Sequence, residues 1–284
     1  MIELIQKETA FPTEGIIGCQ GVAGAYSQIA ADRMFPNGRK IFFKTFDAVF
    51  DAVKRGLCNY GMIPIENNSN GSVRAIQDLL RERGLFIVRS EKLCISHELL
   101  VKPGTRLEDI REIYSHEQAL GQCSEFLKKF GDQVRIIPCL NTAIAARTVS
   151  ESETNDKAAI CSAACIELYG LKTLGMRIQN SDNNYTRFLC IAREPAVYPG
   201  ADRISLILSA AHRPGALYEV LGKFAKLSIN MLKLESVPIT GRDFEFRFYI
   251  DIEASTREPK VMQMLAELEK ECMDFRFLGN YTEI

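Results

Sequence analysis

Four short stretches of the chain gather side chains and backbone groups that could handle a small polar anion. The first is Gly18-x-x-Gly21-x-x-Gly24-Ala25-Tyr26-Ser27, which follows the apolar run IIGC and opens a helical pattern. Glycines there let the backbone approach a ligand, and the free N–H groups of a helix start favour an anion; a plain turn explains them equally. A dinucleotide site would want an acidic residue about 20 positions further on, and Asp32 falls too early. The second stretch, Pro64-Ile65-Glu66-Asn67-Asn68-Ser69-Asn70-Gly71-Ser72, is either a capped turn before the next helix or a rigid loop presenting Glu66 and three amides. In the third, Tyr114 to Leu120, Ser115-x-x-Gln118 has the spacing of a capping box. That helix start would also hold a carboxylate, with His116 as a bystander. The fourth is Asn184-Tyr185-Thr186-Arg187-Phe188, with an arginine inside an apolar strand. A buried unpaired charge is costly, so Arg187 should meet either a ligand carboxylate, which its planar fork suits, or an internal partner such as Glu66.

These stretches sit in an ordinary globular composition. The 284 residues carry 35 Lys+Arg against 36 Asp+Glu, a formal net charge of -1. No general field gathers nucleic acid or an acidic membrane, so an anion must be met by local groups. With 46% hydrophobic residues there is material for a sizeable core, and a prior of roughly 150 residues per domain suggests about two domains. No apolar run approaches the roughly 20 residues needed to span a bilayer, and the first residues lack the apolar region of a secretory signal. Nine cysteines without a C-x-x-C pair, and three dispersed histidines (His97, His116, His212), give no metal motif. Cys161 and Cys165 have the i, i+4 spacing of a packed helix face. The expectation is a cytoplasmic, thiol-reduced protein with no metal and no cofactor.

Positioning these groups falls to alternating strands and helices. Strands are expected at 16–19, 41–44, 60–65 and 85–90, then near 93–101, 111–114, 133–137 and 158–161. The helix carrying Phe46, Val49, Phe50 and Val53 is capped by Thr45 and ended by Gly56; another, with Val73, Ile76, Leu79 and Leu80, closes at Gly84. Helices are also expected near 117–129, 141–150 and 162–169. The pattern is α/β with mostly parallel pairing. A strand at 187–192 should return to the first sheet, leaving two lobes with a cleft between them: lobe 1 at 15–92 and 180–192, lobe 2 at 93–179. Residues 193–203, with two prolines and a glycine, read as a linker. From 204 to 284 the order becomes β-α-β-β-α-β, the ferredoxin-like arrangement, with a turn at Gly241 and a strand over 244–251.

The motifs GCQGVAGAYSQIAA (18–31), TFDAVFDAV (45–53), PIENNSNGSV (64–73), YSHEQALGQC (114–123) and NYTRF (184–188), in that order, resemble the prephenate dehydratase family over about residues 15–283. HRPGALYEVLGKFA (212–225) and INMLKLESVP (229–238) resemble the ACT regulatory module. The resemblance implies a periplasmic-binding-protein-like catalytic domain over 15–192 and a C-terminal ACT domain. It implies decarboxylating dehydration of prephenate to phenylpyruvate, with arogenate, the amino analogue, or a non-catalytic amino-acid sensor as alternatives. Thr186 would donate to the departing hydroxyl, with Glu66 in protonated form the rival acid. Arg187 would hold a substrate carboxylate and Phe188 form a wall, with Asn67, Ser115, Gln118, Asn184, Tyr26 and Ser27 completing the lining.

An allosteric phenylalanine site is implied at Gly215, Ala216, Leu217, Asn230, Leu232, Glu235 and Ser236, in a homo-oligomer, dimer or tetramer. The sequence departs from the family pattern at Asn68 (usually Ser), Glu117 (usually Pro) and Val237 (usually Arg). The last bears on the strength of feedback, and Asn68 on substrate preference. Residues 1–14 are too short for the helical chorismate mutase that precedes this region in some members, so the expectation is a chain without that activity or one cut from a longer parent.

Overall fold

The computed structural model describes residues 3–239 and 245–284; the turn expected at Gly241 and the start of the strand expected at 244 lie outside the described residues. Three larger sheets and one two-stranded pair organise the described residues. In the first, the strands run Arg39–Phe43, Ile16–Gln20, Tyr60–Asn67, Tyr185–Ala192, Phe86–Cys94, with Gly71–Ser72 folding back on Tyr60–Asn67. The first three are parallel, and the returning strand Tyr185–Ala192 is antiparallel to both neighbours. The second sheet is ordered Lys172–Gly175, Glu98–Val101, Lys157–Cys161, Glu112–Ser115, Arg135–Pro138. Here Glu98–Val101 is antiparallel to its neighbours and the other pairs are parallel. Both sheets are therefore mixed.

Local chemistry sets the helices between these strands. Thr45 accepts a hydrogen bond from the Ala48 amide and starts Phe46–Lys54, whose Val49, Phe50, Ala52 and Val53 are buried. Ile76, Leu79 and Leu80 form the buried stripe of Arg74–Arg83. The long helix expected at 117–129 is broken into Glu117–Gln122, Ser124–Leu127 and a 3-10 turn Lys128–Gln133. The strand expected at 93–101 is also divided: Phe86–Cys94 ends in the first sheet and Glu98–Val101 begins in the second. Residues 95–97 are thus one crossing between lobes, and the segment after Gly175 is the other. They are tied by Ile95 N to Asn184 O at 2.8 Å and Ile178 N to His97 O at 3.0 Å.

The expected linker is not free. Ala196–Val197 is buried and pairs in parallel with Ile5–Gln6. Beyond it, Asn230–Pro238, Phe246–Glu253, Arg203–Ser209 and Met273–Tyr281 form an antiparallel sheet in that order, backed by helices Ala216–Lys226 and Pro259–Glu271 over one apolar core. This is the split βαβ arrangement expected. It docks tightly on the first sheet: a Cβ on Gly279 (φ +158°) would lie 2.1 Å from the Ile87 carbonyl oxygen, so only glycine fits there. The chain end also runs along the edge strand, with Ser90 N to Thr282 O at 3.0 Å and Ile284 N to Ser90 O at 2.9 Å. Among the described residues no helix is long and apolar enough to cross a membrane.

Candidate active site

Between the two lobes lies a cleft of about 460 Å³. Strand ends and helix starts line it, the usual place for a ligand in an open α/β sheet. From lobe 1 come Tyr26, Ser27, Glu66, Asn67, Asn70, Ser72, Thr186 and Phe188; from lobe 2 come His97, His116, Gln118, Gln122, Asn141 and Thr142. Among the described residues no lysine or arginine lines it.

Its inner wall is a run of neutral hydrogen-bonding groups. Asn67 Nδ2 donates to Thr186 Oγ1 at 3.0 Å, Asn184 Oδ1 at 2.9 Å and the Tyr185 carbonyl at 3.0 Å, sharing two protons among three acceptors. Asn67 Oδ1 accepts from the amides of Ser69 and Asn70, so this one side chain both shapes the polar turn and fixes Thr186. Asn184 Nδ2 donates to Gln122 Oε1 at 3.0 Å, which also lies 3.0 Å from His97 Nε2. The Tyr26 hydroxyl donates to the Ser96 carbonyl at 2.5 Å and lies 3.3 Å from His97 Nδ1. This network assigns the His97 proton to Nε2, donating to Gln122. Burial lowers the His97 pKa, partly offset by the bond to Gln122, so the ring stays neutral near pH 7.

Several expected roles change once the faces are known. Along Tyr185–Ala192 side chains alternate, so Thr186 and Phe188 face the cleft and Arg187 faces the C-terminal domain. Arg187 Nη1 donates to Glu66 Oε1 at 2.9 Å and Asp251 Oδ2 at 2.6 Å, Nη2 donates to Tyr281 Oη at 2.6 Å, and Nε lies 3.0 Å from Glu283 Oε2. Held by these partners and turned away from the cleft, Arg187 is placed as a domain-junction residue rather than as a carboxylate clamp in the cleft. The ion pairs of Glu66 disfavour the protonated form that a rival acid would need. Burial pushes its carboxyl up, but the Lys233 ammonium and the Arg187 guanidinium outweigh that and hold it below the usual range.

Ser115 is fully buried, donating to the Ile160 carbonyl at 2.6 Å, and does not line the cleft. The capping box is replaced by His116, whose Nδ1 accepts from the Gln118 amide at 3.3 Å. Asn184 acts from behind the wall through Asn67 and Gln122. Asn68 points away from the cleft, pinning Asn183 and Tyr185. Ser27 lines the cleft while donating to the Gln20 carbonyl at 2.8 Å. The Gly21–Gly24 loop serves lobe contact: a Cβ on Gly24 (φ +88°) would lie 2.8 Å from Cys165 Sγ, and the Gly24 carbonyl accepts from Ser162 at 3.1 Å.

The cleft residues not expected from sequence include Gln20, Phe46, His97, His116, Gln122, Asn141 and Thr142. Gln122 was signalled by its i, i+4 spacing from Gln118, and Asn141 by its place at a helix start. Asn141 Oδ1 caps Thr142–Ser150 by accepting from the Ile144 amide at 2.8 Å. Among the described residues no group of three or more His, Cys, Asp or Glu side chains is placed to hold a metal.

The residues expected to form an allosteric site divide into two groups. Ala216 and Leu217, after Gly215 at the helix cap, border a pocket of about 270 Å³ with His212, Arg213, Phe246 and Phe248. Asn230, Leu232, Glu235 and Ser236 do not line it. Glu235 instead turns to lobe 1, accepting from Ser72 Oγ at 2.6 Å and Gln77 Nε2 at 2.8 Å. Val237 borders the helix Arg74–Arg83 at Asp78 and Arg81.

Comparison with known proteins agrees with this architecture. Residues 17–196 match the prephenate dehydratase family model. The chain is 37% identical to arogenate dehydratase/prephenate dehydratase 2, chloroplastic, of Arabidopsis thaliana, over 93% of this chain and 72% of that protein. It is 36% identical to arogenate dehydratase 2 of Petunia hybrida, over 93% and 71%. Among solved structures it resembles prephenate dehydratase of Arthrobacter aurescens in complex with L-Phe (TM-score 0.84, 26% identity, 94% of this chain and 90% of that one). It also resembles GqqA, described as a novel type of quorum quenching acylase (TM-score 0.85, 33% identity, 95% and 98%). The chain belongs to the prephenate dehydratase family.

Proposed function

We propose that this member of the family carries out the decarboxylating dehydration of prephenate to phenylpyruvate in the cleft between the lobes. In that reaction the bond to the ring carboxylate breaks, its electrons complete the aromatic ring, and the ring hydroxyl leaves. The products are carbon dioxide, phenylpyruvate and a hydroxide that becomes water by taking up one proton, ultimately from solvent. Aromatisation drives the step, so the protein must orient the substrate and assist the leaving hydroxide.

The observation that carries this reading is the setting of Thr186. Its Oγ1 accepts from Asn67 Nδ2, while its own proton has no acceptor among the described residues and borders the cleft. It is therefore a preorganised donor for a departing oxygen. Among the described residues no imidazole, amine or carboxylate is hydrogen-bonded to it, as a nucleophile would need. The acylase activity named for one structural relative thus finds no counterpart at Thr186.

A lining that has no lysine or arginine among the described residues suits decarboxylation, because a cation paired to the departing carboxylate would stabilise the ground state more than the transition state. The starts of the helices Tyr26–Met34 and Thr142–Ser150 offer amides to the side-chain carboxylate. Arogenate is the second reading, favoured by the relatives' names.

In the C-terminal domain, the pocket beside Ala216 and Leu217 is the proposed phenylalanine site. The exposed edge strand Asn230–Pro238, with Met231, Leu232 and Leu234 at the surface, is the proposed surface for pairing with a second copy. Phenylpyruvate from prephenate and phenylalanine from arogenate, each measured with and without added phenylalanine, test the reading. Turnover of prephenate slowed by phenylalanine is expected. Absence of both products would overturn it and favour a sensor that binds without chemistry.

A further inference from the structure

The C-terminal domain reaches the cleft through one strand. From Asn230–Pro238, Lys233 extends its ammonium to the catalytic domain, donating to Glu66 Oε2 and, at 2.7 Å, to Ser72 Oγ. Glu66 and Ser72 are register partners in the short hairpin that closes the polar turn, and both border the cleft. Within that hairpin lies Asn67, whose amide holds Thr186. Each Glu66 oxygen therefore has its own cation, Arg187 from the same domain and Lys233 from the other.

An exposed ion pair in such a place would carry little, but the Lys233 side chain is only 15% exposed. It also lies over the Tyr249 ring, 5.4 Å from its centroid, and 3.3 Å from Glu235 Oε2. Its position is fixed by its own domain, while what it holds is the frame of the cleft.

We propose that Lys233 is a positioning residue for the dehydratase site, supplied by the C-terminal domain: it staples the Glu66–Ser72 hairpin, so that Thr186 is presented in register only while the strand Asn230–Pro238 is seated. This rests on the dehydratase reading above. A ligand of the C-terminal domain that shifts this strand alters turnover through the staple without entering the cleft.

Lys233→Met removes the charge and keeps the length; Lys233→Arg restores a cation. For Lys233→Met, kcat on prephenate should fall about ten- to a hundredfold, the loss expected for one charge-assisted hydrogen bond, with KM changing less. The acidic limb of the pH profile should move to higher pH as Glu66 loses a counter-charge. The charged and titratable groups around Glu66 are Arg187, Lys233 and Glu235, with Asp251 and Glu283 behind Arg187 and His97 and His116 on the cleft walls. Lys233→Arg should recover most of the rate.

A folded Lys233→Met enzyme with wild-type kcat and an unmoved acidic limb would overturn the proposal. Wild-type protein inert on both prephenate and arogenate would instead overturn the dehydratase reading. The staple is then read directly by carbon-13 titration of the Glu66 carboxyl, and an unchanged titration in the variant would overturn it. If Lys233→Met does not fold, Lys233→Gln, which keeps a donor without the charge, is read the same way.

Discussion

The two faces of the strand Tyr185–Ala192 meet opposite surroundings. On one, Thr186 and Phe188 look into a half-open cleft whose inner wall is built from amides, hydroxyls and a neutral imidazole. On the other, Arg187 is 6% exposed and enclosed by Asp251, Glu66, Glu283 and Tyr281. Charge is used where two domains must be locked together, and kept back where a carboxylate must leave. A buried ion cluster specifies a docking geometry because breaking it strands a charge. A neutral relay gives direction to a donor without binding an anion so tightly that it cannot react.

That contrast can be broken from either side. The largest effect is expected at the charged face. Arg187→Met leaves Asp251, fully buried, without its guanidinium, and should destabilise the protein by about 3–5 kcal/mol, measured by urea unfolding. A loss under 1 kcal/mol would show that the cluster does not hold the domains. On the neutral face, Asn67→Ala removes the donor to Thr186 and the acceptor that shapes the turn. It should lower kcat by about ten- to a hundredfold with a smaller cost to stability, since a net hydrogen bond is worth about 1 kcal/mol. Equal losses in rate and stability would sink the distinction between the faces.

The smallest effect concerns pH. His97 has a folded-state pKa below its usual 6.5 because it is buried. As pH falls through 6.5 the unfolded chain takes up a proton that the folded one refuses. Stability from this site is therefore full above pH 6.5 and declines below it, by at most about 1.4 kcal/mol per pH unit. His97→Gln should flatten that part of the stability profile. A profile unchanged from wild type would mean that His97 is not held neutral.

Much of this was legible in the residues. Thr45 and the helix it caps, the polar turn after the strand Tyr60–Asn67, the returning strand and the C-terminal βαββαβ order all declared themselves through spacing and turn chemistry. The facing of Arg187 did not. From Arg187 onward the returning strand is buried on both sides, so no polar alternation marks which face meets the cleft. The alternative of an internal pair with Glu66 was nevertheless readable from the cost of burying an arginine, and that pair is present.

The lobe crossing at 95–97 escaped because apolar residues flank it closely on both sides, Leu93 and Ile95 before and Leu99 and Leu100 after, and no glycine or proline marks the break at Ser96-His97-Glu98. Ser115 and His116 differ by one position in a tight strand-to-helix turn. Pairing of Ser115 with Pro138 keeps Ser115 in the sheet and passes the cap to His116. The short edge strand Lys172–Gly175 has too few apolar residues to stand out.

The most direct measurement is the turnover of Thr186→Val beside Thr186→Ser, with thermal unfolding of both recorded alongside. Valine keeps the shape and removes the donor; serine keeps the donor. The expected result is a kcat about 10²–10³ lower for Thr186→Val at a nearly unchanged melting temperature, with Thr186→Ser within about tenfold of wild type. A folded Thr186→Val protein turning over at the wild-type rate would contradict the assignment of Thr186 as the donor to the leaving hydroxyl.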